Sequence, residues 1–236
     1  MGYELHTMHD LLKGNSYAGR GIVVGKARDG AALIAYFIMG RSANSRNRIF
    51  VEKQGELFTE PYDSEKVENP GLIIYAAIRR FQNHIIVTNG DQTDTIYESL
   101  CQGKGFAEAL ETRCFEPDAP NFTPRISAML SLREKDFAYE MSILKSADAE
   151  GSACTRMHFS YPALPGVGHF IHTYVCDGNP LPSFEGEPER VAMPADLEAF
   201  TKEIWSALDA SNRISLYTER IDLSGERSFR LINKNA

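Results

Sequence analysis

The feature that most constrains this chain is a succession of short β-branched apolar runs separated by tight turns. "GIVVGKA" (Gly21 to Ala27) and "AALIAYFIMG" flank "RDG", and an Asp-Gly turn between two such runs predicts a hairpin. "NRIFVEK" and "GELFTE" form a second pair around Gln54-Gly55, ended by Pro61. "GLIIYAAIRRF" and "HIIVTNG" form a third, split by "QNH". Strands that follow one another through short connections favour antiparallel pairing, because a parallel crossover needs a dozen or more residues.

Helical spacing then appears. "DQTDTIYESLCQG" sets Ile96, Leu100 and Cys101 on one face, and "GFAEALETRC" does the same with Phe106, Ala109 and Leu110. After the proline-rich "EPDAPNFTP", strands resume with "RISAMLSL" and "FAYEMSILK" around "REKD". "TRMHFSY" and "HFIHTYVC" follow, joined by a Pro/Gly loop. "DGNPLPSFEGEPER" reads as a crossing segment of low strand content. "PADLEAFTKEIWSALDAS" is the strongest helix, with Pro194 suited to a first turn and Leu197, Phe200, Ile204, Trp205 and Leu208 in one stripe. "RISLYTERIDL" and "SFRLINK" close the chain around "SGE". About ten or eleven strands and three helices predict an α+β fold in which two mainly antiparallel sheets pack together under outer helices. No repeat or composition shift divides the chain, so residues 1–236 read as a single domain.

Composition narrows function. A formal net charge of -7 over 236 residues argues against a general nucleic-acid binder, which needs a basic face. A basic pocket inside an acidic protein suits a small anion instead. Cys101, Cys114, Cys154 and Cys176 include no CxxC pair and read as reduced thiols in a cytoplasmic protein. "MGYELHTMHDLLKG" lacks the apolar stretch of a signal peptide, and apolar runs of about ten residues fall short of the roughly twenty that span a bilayer. His169 and His172, three apart on a strand, point to opposite faces and so do not share a metal. His6 and His9 read as surface residues. GxGxxG, GxSxG and P-loop patterns are absent.

Four polar clusters sit at strand ends. Tyr17 and Arg20 precede the first strand. "RSANSRNR" follows the second, with Arg41, Ser42, Asn44, Arg46 and Arg48. "TNGDQTD" stands at a strand-to-helix junction, with Asn89, Asp91, Thr93 and Asp94, and "NFTPRI" leads Asn121, Thr123 and Arg125 into another strand. Arginine forks match phosphate oxygens in pairs and remain charged, while Asn and Ser add neutral donors. The plainer reading of "TNGDQTD" is a turn followed by an N-cap, and of "RSANSRNR" a solvated loop.

In that order, "YAGRGIVVG", "AYFIMGRSANSRNR", "NPGLIIY", "TNGDQTD" and "FTPRI" resemble the archaeal-type IMP cyclohydrolase family and its bacterial relatives. The resemblance covers Tyr17 to Arg125, about half the chain. It implies a four-layer αββα sandwich like that of N-terminal-nucleophile hydrolases, without the terminal nucleophile, since neither Met1 nor Gly2 carries one. The implied reaction closes 5-formamidoimidazole-4-carboxamide ribonucleotide to IMP, with no metal or organic cofactor. By residue type, Asp94 is the expected base, Tyr75 the acid or oxyanion donor, and Arg125 or Asn89 an electrostatic stabiliser. Arg20, Arg41 and Arg48 are expected on the 5'-phosphate or holding the pocket. Ser42 and Asn44 are expected on the ribose phosphate or carboxamide, and Thr93 and Thr123 in the same binding set. Arg46 shares a face with Arg48 by alternation but matches no motif position. The expected partner is a small nucleotide, with neither nucleic acid nor membrane, and a homo-oligomer on general grounds. A non-catalytic purine-nucleotide binding or sensing protein on the same fold is the alternative. An amide hydrolase is disfavoured for want of the terminal nucleophile.

Overall fold

The computed structural model describes residues 3–67 and 74–235. The chain opens with α1 (Met8–Leu12), β1 (Arg20–Lys26), β2 (Ala32–Met39), α2 (Ala43–Arg46), β3 (Ile49–Lys53) and β4 (Glu56–Glu60). β5 (Tyr75–Phe81), β6 (His84–Thr88), α3 (Gln92–Cys101), α4 (Phe106–Leu110), β7 (Arg125–Leu132) and β8 (Phe137–Ser146) follow. β9 (Cys154–Pro162), β10 (Val167–His172), β11 (Glu189–Ala192), α5 (Leu197–Ala207), β12 (Arg213–Ile221) and β13 (Arg227–Asn233) complete it. The five expected hairpins are present, and Gln54 and Gln82 turn two of them in the left-handed region. The start of the expected "GLIIYAAIRRF" strand and most of "NPGLIIY" lie outside the described residues.

Every strand pairing within the sheets is antiparallel. One sheet has the order β11-β10-β1-β2-β12-β13, and the other runs β3 to β9 in chain order. The loop between β9 and β10 therefore crosses from one sheet to the other, which its composition alone does not reveal.

Alternation explains the layers. In β2, Ile34, Tyr36 and Ile38 enter the core between the sheets, while Leu33, Ala35 and Phe37 face outward onto a second core. That second core holds Met8 and Leu12 of α1 with Phe200 and Ile204 of α5. Burial on both faces is why β2 reads as an unbroken apolar run. On the far side, Ile86, Met129 and Leu144 pack under Ile96, Phe106 and Leu110 of α3 and α4. The result is helix, sheet, sheet, helix.

Three details differ from expectation. Asp196 caps α5 by accepting from the Ala199 N–H at 2.6 Å, so Pro194 lies before the cap and not in the first turn. α1 is helical, and its apolar side packs against α5. "SANSR" forms the one-turn α2, closed by a reciprocal capping box between Ser42 and Ser45.

Candidate functional site

β1 begins at Arg20, and the glycine before it has φ +79°, the left-handed region. A Cβ on Gly19 would stand 2.1 Å from the Thr173 hydroxyl, so only glycine lets this corner close. Arg20 lies on the same side of β1 as Ile22 and Val24, pointing into the space between the sheets. Arg48, just before β3, reaches the same space from the other sheet and is 4% exposed. Tyr36 and Tyr75 share a hydrogen bond of 2.7 Å between their hydroxyls close to both guanidiniums.

The two arginines line one cavity of about 260 Å³, just below the usual ligand-pocket range of roughly 300–1,000 Å³. Arg20 Nε and Arg48 Nε and Nη1 are buried with no hydrogen-bond partner among the described residues. Burial, and then the charge of Arg20, pulls Arg48 below the usual arginine value. Burial also opposes the charge on Arg20, but the tyrosine hydroxyls around it, Tyr17 and Tyr174 foremost, outweigh that and move it upward. Two adjacent cations, Arg48 buried and Arg20 partly so, with buried N–H groups unmet, are costly unless something negative completes them.

The rim is built by loops. Arg41 lies 5.0 Å above the Tyr17 ring, donates to the carbonyl of Gly178 at 2.9 Å and pairs with Asp177. Asn44 Oδ1 is buried there with no partner among the described residues. Opposite stands the loop between α4 and β7. Glu116 donates its N–H to the Thr123 carbonyl at 2.9 Å, and Asp118 accepts from the Thr123 N–H at 2.6 Å. The Thr123 hydroxyl donates to the Asp118 carboxylate and contacts the Tyr174 hydroxyl, and Asn121 accepts from the Leu181 N–H at 3.1 Å. This lacing joins the 116–123 loop to the segment after β10, which stacks Tyr174 against Tyr17 at 5.9 Å.

Arg20, Arg41, Ser42, Asn44 and Arg48 thus meet in one cavity, with Asn89 and Thr123 also in its wall. Asn89, however, is engaged as a brace: its amide donates to Pro124 O and accepts from Ile126 N and Gln92. Thr93 is buried behind the wall, bonded to Thr88 and to the carbonyl of Gly90. Tyr75 is buried beneath it. Arg125 backs the wall, 3.0 Å from Glu116 and 2.6 Å from Asp91. Gly90 makes room for this pair: a Cβ there would stand 2.7 Å from Arg125 Nη1 and 3.0 Å from Glu116 Oε1.

Asp94 is not brought to the cavity. It lies on α3 with its side chain half exposed, paired with Arg79 at 2.9 Å. The carboxylates in the cavity wall are instead Glu116 and Asp118. Burial raises Glu116 above the ordinary carboxyl value, against the lowering pull of Arg125. Arg46 also turns away, bonding Gly40 O and Asn212. Arg113 also pairs with Asp91 and so joins the Arg125 network. His169 and His172 do take opposite faces: His169 bonds Tyr139 at 2.6 Å and stacks on Tyr161, while His172 stacks on Phe170. Among the described residues no cluster of three His, Cys, Asp or Glu is placed to hold a metal, and no helix is long and apolar enough to cross a membrane.

The fold and site together define a layered α+β protein with a cationic pocket between its sheets, shaped for a small anionic ligand. The model of the IMP cyclohydrolase-like protein family matches residues 17–226, and the chain belongs to that family. The match extends well past Arg125 and so takes in β10 and the segment that closes the cavity. An IMP cyclohydrolase of Methanopyrus kandleri is 30% identical over 184 residues, 72% of this chain and 89% of the relative. One from Methanocaldococcus jannaschii is 32% identical over 124 residues, 52% of this chain and 61% of the relative. One from Methanococcus aeolicus is 28% identical over 165 residues, 68% and 75% respectively.

Proposed function

We propose that this cavity closes 5-formamidoimidazole-4-carboxamide ribonucleotide to IMP, the activity named for its relatives. The observation that carries the reading is the set of buried nitrogens of Arg20 and Arg48 in one wall that have no partner among the described residues. The 5'-phosphate, the most negative part of the substrate, supplies what they lack. Arg41 meets the ligand at the rim, backed by the Tyr17 ring beneath it.

Both reacting groups belong to one molecule, so the pocket's first task is to hold the carboxamide nitrogen against the formyl carbon. The carbon–nitrogen bond forms as the formyl carbon–oxygen double bond opens to a single bond, the carboxamide nitrogen gives up one proton, and the formyl oxygen takes one. The carbon–oxygen bond then breaks as water leaves and the formamide nitrogen gives up its proton. Glu116 is the group for these proton movements, because it stands in the cavity wall and burial raises it above the ordinary carboxyl value. Arg125 holds it in place, while Asn44, Thr123 and the arginines steady charge on the oxygen. Asp94, on the outer helix, does no proton transfer in this scheme. Residues 1–236 act as one domain in a cytoplasmic enzyme that takes a free nucleotide rather than nucleic acid.

The test is turnover: the formamido nucleotide is supplied and IMP formation followed by ultraviolet absorbance. A rate well above the uncatalysed one supports the reading. Tight IMP binding without turnover would instead make the protein a nucleotide sensor.

A further inference from the structure

The loop that carries Glu116 also carries Cys114, an exposed free thiol. Cys154, the first residue of β9, neighbours it and shares a face of the strand with Arg156. The contact is held from both sides. Arg156, two residues along β9, donates Nη2 to the carbonyl of Arg113 at 2.7 Å and to that of Glu111 at 3.3 Å. Cys154 packs against the core under α3 and α4. The strand thus clasps the chain on the residue immediately before Cys114.

We propose that Cys114 and Cys154 form an oxidisable dithiol, closing reversibly into a disulfide that clamps the 114–123 loop onto β9. That loop places Glu116, Asp118 and Asn121 in the cavity wall. The oxidant required is a hydroperoxide. The Cys114 thiolate attacks the peroxide oxygen, the O–O bond breaks, and an alcohol or water leaves with a proton. The sulfur of Cys154 then attacks the Cys114 sulfenic acid, losing its own proton and expelling water. Two thiols are oxidised by two electrons and one peroxide is reduced by two. Cys114 is the first target, being exposed, whereas burial and then the neighbouring Cys114 raise the thiol of Cys154 and keep it protonated. The bond stands independently of the ligand assigned to the cavity, since both thiols lie outside the wall.

The experiment uses the full chain, reduced and then exposed to hydrogen peroxide. Intact mass is expected to fall by two hydrogens, peptide mapping to join Cys114 to Cys154, and dithiothreitol to reverse both. The chain with Cys101→Ser and Cys176→Ser is expected to behave the same, and Cys154→Ser to lose the linkage. Amide exchange over 114–123 is expected to slow about tenfold in the oxidised form. A linkage elsewhere, terminal oxidation of Cys114 without a cross-link, or a cross-link that leaves loop exchange unchanged would each overturn the proposal.

Discussion

Arg48 sits 4% exposed beside another guanidinium, with two of its nitrogens unmatched. In the proposed scheme such a residue weakens the empty protein and is compensated by the phosphate of the ligand. Arg48→Met removes the buried charge and keeps much of the side-chain length. In thermal unfolding without ligand, we expect stabilisation on the order of 1 kcal/mol. A comparable loss would show that Arg48 serves the fold. His169 is a second sensitive residue. Burial, and then Arg190, lowers it to about 4 from an ordinary 6.5, so the folded state favours the neutral ring. Its contribution is therefore full above 6.5 and drains away as pH falls from there towards 4. The shift corresponds to roughly 3 kcal/mol at most. In urea titrations between pH 7 and 4, His169→Phe should lose stability with acid less steeply than the parent. Parallel curves would count against a neutral buried His169. Neither behaviour is visible in sequence, where "HFIH" shows only two histidines on opposite strand faces.

Elements decide which carboxylate reaches the cavity. The stretch "TNGDQTD" announces a strand, a turn and a helix, and all three are there. It does not announce which side of α3 each residue takes: Thr93 turns inward to Thr88, and Asp94 outward to Arg79. The loop before β7 holds the better-placed acid, yet "FEPDAP" gives no motif signal for Glu116. We expect Glu116→Gln to lower kcat about a hundredfold and remove the acidic limb of the rate profile, which lies above the ordinary glutamate range. Asp94→Asn should stay within about threefold, since exposed ion pairs contribute at most about 1 kcal/mol. The reverse ranking would restore Asp94 as the base. Gly90 tests how the elements fit. Gly90→Ala pushes a methyl against the ends of Arg125 and Glu116, which can shift, so the fold should survive while kcat drops at least about tenfold. Unchanged kcat would mean that the Arg125–Glu116 pair does not position the reaction.

At the scale of the molecule, the sandwich was readable because strand pairing is mostly local: six consecutive pairings of β3 to β9 follow chain order, and β1–β2 and β12–β13 are hairpins. What the sequence withheld is long-range. Thr123 meets Tyr174 across 51 positions, and β9 and β10 part into different sheets through a loop that looks like any other. One side of the cavity wall, from Glu116 to Thr123 with Tyr174 and Leu181, depends on those meetings. The arginine-rich stretch after β2 was legible as a donor cluster, and its members divide: Arg41 and Arg48 enter the cavity, while Arg46 braces Asn212. An acidic chain of net charge -7 thereby keeps a cationic interior site, shielded from the salt that screens surface charge. The most direct test of the account compares the parent and Arg48→Met chains in forming IMP from the formamido nucleotide. The parent should turn over, and the variant, though folded, should lose kcat/KM by about a hundredfold or more. Equal rates in the two, or none in the parent, would contradict it.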